Sequence, residues 1–272
     1  MVYGRINKAI TYIDTDDFSD TRVLGDNTTN ESFVGLRGEA KIGKDLSAGY
    51  VLEIQEFFDY DGGGLNDSDG VGVRQSYAYI KSAYGQVSVG KQSTATDDIF
   101  LSSANTDAVL HPLTSQPLFG LEPFEGFKAN VVRYNSPVFE GFMLSASWGE
   151  DDSKDIALRF AKVVGDFKLY AAAGYRETDD YELSYSNDDK VISLAASGLH
   201  VPTGLFASAY YGSLDLDGYA KVDAYQVVGG VEREIFGALS RRERPSLGHP
   251  TLPQMTIAVL MLHIAVGQPG KP

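Results

Sequence analysis

The chain has 272 residues, no cysteine, and 37 acidic against 23 basic side chains, for a formal net charge of −14. The length suits one large β domain or two ordinary ones. Without cysteine there is neither a disulfide scaffold nor thiol catalysis. A chain this acidic is a poor non-specific ligand for nucleic acid, whose affinity comes from neutralised phosphates. The longest apolar run, Met255 to Val266, is too short to cross ~30 Å of hydrocarbon as a helix. The mean hydropathy of −0.16 still allows a membrane barrel, whose strands need only ~9–11 residues and alternate apolar with polar. No signal peptide precedes Met1-Val2-Tyr3. An exported protein needs one, so export would imply an N-terminus that this sequence lacks.

Period two dominates the chain and sets alternate side chains on opposite faces of a strand. A first strand is expected over 2–13, then a polar loop at 14–31. In 32–42 one face carries Val34, Leu36, Ala40 and Ile42, the other Phe33, Arg37, Glu39 and Lys41. A short turn at Gly43-Lys44-Asp45 leads to 47–57, with Ala48, Tyr50, Leu52 and Ile54 opposite Gly49, Val51, Glu53 and Gln55. Loop 58–72 separates this from strands at 73–82 and 85–92. The longest loop, 93–128, precedes strands at 129–136 and 141–149. Strand 155–164 sets Ile156, Leu158 and Phe160 against Ala157, Arg159 and Ala161. In 167–176, Phe167, Leu169, Ala171, Ala173 and Tyr175 oppose Lys168, Tyr170, Gly174 and Arg176. Further strands are expected at 190–200, 204–214 and 222–233, about twelve in all.

The connections alternate in length. Short turns fall at 43–45, 82–84, 138–140, 164–166 and 201–203. Longer polar ones fall at 14–31, 58–72, 93–128, 150–154, 177–189 and 215–221. Short turns at one end and long loops at the other are the plan of an antiparallel transmembrane β-barrel. The charges agree, since a lysine or arginine facing lipid at mid-bilayer costs roughly 2–4 kcal/mol. Arg5, Arg37, Arg159, Lys168 and Arg176 all fall opposite the aliphatic face and can point into a wet lumen. Lys162 shares a face with Phe160 but lies near a turn, where it can snorkel. Lys8 shares a face with Ile6 and Ile10, and the pattern offers no account of it.

The alternation ends near Phe236. Residues 237–272 carry Arg241-Arg242-Glu243-Arg244-Pro245, repeated prolines and the apolar run. Proline is excluded from central strands. The expected division is therefore a barrel portion over 1–236 and a tail unlike it over 237–272, of the kind a frameshift or a wrongly joined segment leaves.

The order of short motifs resembles the general trimeric porins of Gram-negative bacteria. The matching segments are Tyr3-Gly4-Arg5, Val34-Gly35-Leu36-Arg37-Gly38-Glu39, Arg74-Gln75-Ser76-Tyr77, and Gly85-Gln86-Val87-Ser88-Val89-Gly90-Lys91-Gln92. They continue with Val132-Arg133-Tyr134-Asn135-Ser136-Pro137, Phe139-Glu140-Gly141-Phe142, Leu199-His200-Val201-Pro202-Thr203-Gly204-Leu205-Phe206 and Gly229-Gly230-Val231-Glu232-Arg233. Together they cover roughly 2–236.

The resemblance implies an all-β fold, an antiparallel barrel of which about 12 of 16 strands are present, with a long inward-folded constriction loop. It implies a passive channel for small hydrophilic solutes and ions in the bacterial outer membrane. It also implies lipid and lipopolysaccharide around the barrel, a homotrimer, and no cofactor or catalysis. Loop 93–128 takes the place of the constriction, with acids Asp97, Asp98, Asp107, Glu122 and Glu125. Lys91 and Arg133 match basic wall residues, and Arg5 and Arg37 are expected to contribute. Phe33 stands where the family has a further wall arginine. The acid-rich mouth loops lead to an expected weak preference for cations.

The alternatives are a soluble β-rich binding protein and an outer-membrane barrel enzyme. The sequence has no G-x-S-x-G, P-loop or H-E-x-x-H motif. The four histidines lack metal-ligand spacing, and Asn66-Asp67-Ser68-Asp69-Gly70 lacks the terminal glutamate of a calcium loop.

Overall fold

The computed structural model describes residues 1–6, 9–15, 18–24, 32–57, 70–97, 99, 128–149, 153–178, 189–216, 220–232 and 256–263. Its strands are β1 (Val2–Arg5), β2 (Ala9–Thr15), β3 (Phe18–Leu24), β4 (Phe33–Lys41), β5 (Leu46–Phe57), β6 (Gly70–Ser82), β7 (Gly85–Ser93) and β8 (Lys128–Asn135). They continue as β9 (Phe142–Gly149), β10 (Lys154–Val164), β11 (Phe167–Thr178), β12 (Asp189–His200), β13 (Leu205–Leu216), β14 (Ala220–Glu232) and β15 (Thr256–His263). Thirteen of them, β1 and β4 through β15, pair in sequence order as one antiparallel meander, with β1 and β15 at its edges. β2 and β3 form a separate two-stranded hairpin.

One expectation changes here. The strand expected over 2–13 is two elements, β1 in the main sheet and β2 in the hairpin, and the hairpin's second strand lies inside the expected loop 14–31. The apolar stretch Thr256–His263, set apart from the barrel by its sequence, pairs antiparallel with β14 as β15. Lys8 lies outside the described residues.

The faces are inverted relative to a soluble protein. Along β7, Val89 is 57% exposed while its neighbour Ser88 is 1% exposed. Along β12 the same holds for Ile192 (45%) and Ser193 (1%). Val34, Leu36, Ile80, Val132, Leu144, Leu158 and Leu194 are likewise exposed, whereas Glu53, Gln92, Ser145, Ser147, Asp155, Arg176 and Asp189 are buried. Exposed aliphatics opposite buried polar groups suit a wall with lipid outside and water inside.

Aromatic residues mark both margins of the outer face. Toward the short turns lie Tyr84, Phe139, Phe142 and Phe167, and toward the long connections lies Trp148, 62% exposed. Trp148 stands opposite Lys154, which begins a cross-strand row of alternating charge: Lys154, Glu177, Lys190, Asp215, Lys221. Lys154 Nζ lies 2.7 Å from Glu177 Oε2. Opposite charges placed directly across strands stabilise a sheet, each pair by roughly 0.2–1 kcal/mol. At the other margin Lys162 reaches Glu140 in the short turn, with Nζ 2.6 Å from Oε2. That contact explains how a lysine shares the outer face with Phe160.

The inner face is shaped by cross-strand tyrosine–glycine pairs. Tyr3 stands opposite Gly35 and Tyr79 opposite Gly49. A Cβ built at Gly35 would lie 2.7 Å from Tyr3 Cζ, and one at Gly49 would overlap the Tyr79 ring. Each ring therefore covers a glycine that would otherwise leave backbone bare.

Candidate functional site: the inward loop root and the facing wall

After Ser93 the chain leaves β7 and turns back over the inner face of β8–β11. Thr94, Ala95, Thr96, Asp97 and Ile99 are all buried. The wall beneath them is made of small side chains. Ala157, Ala172 and Ala195 join Val191, Tyr210 and Leu214 in one apolar cluster that receives Ala95 and Ile99. Small residues there hollow the wall, so the root seats without displacing a strand.

Polar groups pin the same segment. The Ala95 amide donates to Ser147 Oγ (2.9 Å). The Thr96 amide and hydroxyl both donate to Asp155 Oδ2, each at 2.7 Å. Ser147 Oγ donates in turn to the other Asp155 oxygen. Arg159 Nη2 donates to the carbonyls of Ala95 (2.7 Å) and Asp97 (2.8 Å). Arg133 Nη1 donates to the carbonyls of Ser93 (2.8 Å) and Thr94 (3.1 Å), and its Nε to Asn135 Oδ1 (3.0 Å). The Asp97 amide closes the turn on the Thr94 carbonyl (3.3 Å). Hydrogen bonds with an ionised partner are the strong class, and here they converge on one short segment.

A second polar cluster lines β1, β4, β5 and β6. Glu53 is buried and accepts from Tyr3 Oη (2.8 Å), Gln75 Nε2 (3.0 Å) and Arg74 Nη1. Arg74 and Gln75 both reach it because the β5–β6 register slips at Glu53/Ile54. Such a bulge re-aims a side chain. Phe33 lies between two guanidinium groups, with Arg5 Cζ 5.3 Å and Arg74 Cζ 5.0 Å from its ring centroid. Tyr3 meets Phe33 edge-on at 5.7 Å, and Arg37 Cζ stands 5.0 Å above the Tyr3 ring.

Among the wall residues expected from sequence, Arg5 and Arg37 come together around Tyr3 and Phe33, and Arg133 sits at the loop root. Lys91 departs from its expected place. It stands opposite Ser76 and Asn130, on the face that carries Val87 and Val89, while Ser88 and Gln92 are buried on the other. Strict alternation along β7 turns Lys91 outward near a strand end, where a lysine can snorkel. Of the five loop acids only Asp97 lies among the described residues. Its carboxylate Oδ2 is buried and has no hydrogen-bond partner among them. Asp98, Asp107, Glu122 and Glu125 lie outside the described residues.

Sequence reasoning missed Glu53, Arg74, Ser147 and Asp155, and saw Arg159 only as inward-facing. One signal was available: aspartate is depleted in strands, so Asp155 on the face opposite Ile156 and Leu158 marked a polar role inside.

A barrel wall with a dry outer face and an inward loop root defines an outer-membrane channel. The Gram-negative porin family model matches residues 1–239, and the chain belongs to that family. It is 26% identical over 265 residues to outer membrane porin protein 32 of Delftia acidovorans, covering 85% of this chain and 70% of that one. The fold is shared with a loop-deletion mutant of OmpT from Vibrio cholerae, with a TM-score of 0.59 and 17% identity, over 87% of this chain and 76% of that one. It is also shared with an anion-selective porin from Comamonas acidovorans, with a TM-score of 0.53 and 18% identity, over 99% and 95%. The protein is accordingly a passive diffusion channel of the outer membrane.

Proposed function

We propose that this channel passes small hydrophilic solutes and ions, prefers anions at its throat, and works as a homotrimer in lipid and lipopolysaccharide without catalysing a reaction. The observation that carries the selectivity is how the throat arginines are bonded. Among the described residues Arg133 and Arg159 donate to neutral oxygens, the backbone carbonyls and the Asn135 amide. Asp155 and Asp97 act on Arg133 from nearby without a direct bond to it among those residues. The facing carboxylate Glu53 is matched by Arg74, and Arg37 is held over a ring rather than by an acid.

This reverses the weak cation preference expected from sequence. That expectation rested on loop acids, most of them at the mouth, where charge is screened over ~8 Å at physiological salt. A low-dielectric throat focuses the field of whichever charges line it. The anion selectivity named for the Comamonas acidovorans porin and the trimer form named for a Vibrio cholerae OmpT structure agree with the reading. The test is the reversal potential of single channels in a tenfold potassium chloride gradient. An anion-selective sign supports the reading, and a cation-selective sign returns the throat to the loop acids.

A further inference from the structure

We propose that Asp155 is the positioning residue that fixes the pore's constriction, and that it does so through the backbone of the loop root rather than its side chains. The proposal rests on the channel reading above, because only in a pore does the seat of this loop govern flux.

From Ser93 to Asp97 the wall engages almost only main-chain atoms. It binds the carbonyls of Ser93, Thr94, Ala95 and Asp97 and the amides of Ala95 and Thr96. Among the bonds named above, the Thr96 hydroxyl is the donor that comes from a loop side chain. Asp155 is its centre. One oxygen takes both Thr96 donors, and the other takes the Ser147 hydroxyl. With its proton committed to Asp155, Ser147 presents a lone pair to the Ala95 amide. Loss of the carboxylate would strand two Thr96 donors and release Ser147 in a site where all these groups are buried. Buried donors without partners are costly, so the root would lift toward the lumen, where water can satisfy them. The main chain from Ser93 to Asp97 thus sets where the loop begins, with the Ile99 side chain seated on the wall beside it.

The test is single-channel recording of the full chain in planar bilayers for the wild type, Asp155→Ala, Thr96→Val and Ser147→Ala. The Asp155→Ala channel should close at least tenfold more often, since three buried hydrogen bonds are lost and tenfold is about the ratio for one, and should change its open conductance. Thr96→Val keeps the amide bond and should fall clearly short of that effect. If Asp155→Ala does not fold, Ser147→Ala, which spares the charge, carries the test and should raise closures by a smaller factor. A folded Asp155→Ala channel with wild-type conductance and closures would overturn the proposal. So would a Ser147→Ala channel like the wild type where it stands in. A Thr96→Val effect equal to that of Asp155→Ala would overturn its backbone part. A wild-type chain that inserts and passes no current would instead overturn the channel reading itself.

Discussion

Gly174 lies directly beneath Ile99. A Cβ built at 174 would overlap Ile99 Cδ1 and come within 2.8 Å of Thr96 Cγ2. Gly174 is on the inner face of β11, opposite Ala157 on one side and Ser193 on the other. The glycine is therefore needed for space, as the seat of the loop root.

That relationship makes a size-dependent prediction. Gly174→Ala should shift the root slightly, and Gly174→Val should push it into the lumen. Overpacking of this kind typically costs 1–3 kcal/mol. Open-channel conductance should fall in the order glycine, alanine, valine, with unchanged strand content by circular dichroism. Equal conductance in all three would mean that the root does not border the conducting path.

The outer face makes a second prediction. Leu158 lies mid-strand in β10 and is 46% exposed, with Arg159 beside it on the opposite face. Leu158→Lys would place a charge in hydrocarbon at roughly 2–4 kcal/mol. The variant should fold less completely into lipid vesicles and lose that much stability in urea titration. Lys162, two repeats of the pattern farther on, already carries a charge on this face and meets Glu140 at the margin. Lys162→Met should change stability by no more than about 1 kcal/mol, as for other exposed pairs. A large loss at Lys162 with none at Leu158 would place the membrane margin elsewhere.

The strands and their faces were readable in the sequence because a half-wet wall enforces period two, and a one-residue slip would turn every charge to lipid. Arg5, Arg37 and Arg159 fell on the inner face for that reason. What the pattern could not give were departures from it. The bulge that brings Arg74 beside Gln75 is a single unpaired residue, invisible to a count by twos. β15 is a run of consecutive apolar residues, which periodicity alone cannot assign. The Asp155–Thr96 contact was out of reach for a different reason, since the two are 59 residues apart and only folding brings them together. Lys91 shares its face with the exposed Val87 and Val89, so alternation along β7 outweighs the motif likeness that set it on the inner wall.

One face of this sheet bounds water and the other bounds lipid. The chain contains no cysteine, so single cysteines can report each face separately. Arg37 and Leu36 are neighbours on β4, and Lys168 and Leu169 are neighbours on β11, each pair split between the two faces. The measurement is single-channel current before and after a charged, membrane-impermeant thiol reagent, for Arg37→Cys, Leu36→Cys, Lys168→Cys and Leu169→Cys. A stepwise loss of current is expected at 37 and 168 and none at 36 and 169. Loss of current at Leu36→Cys and Leu169→Cys, with silence at their neighbours, would contradict it.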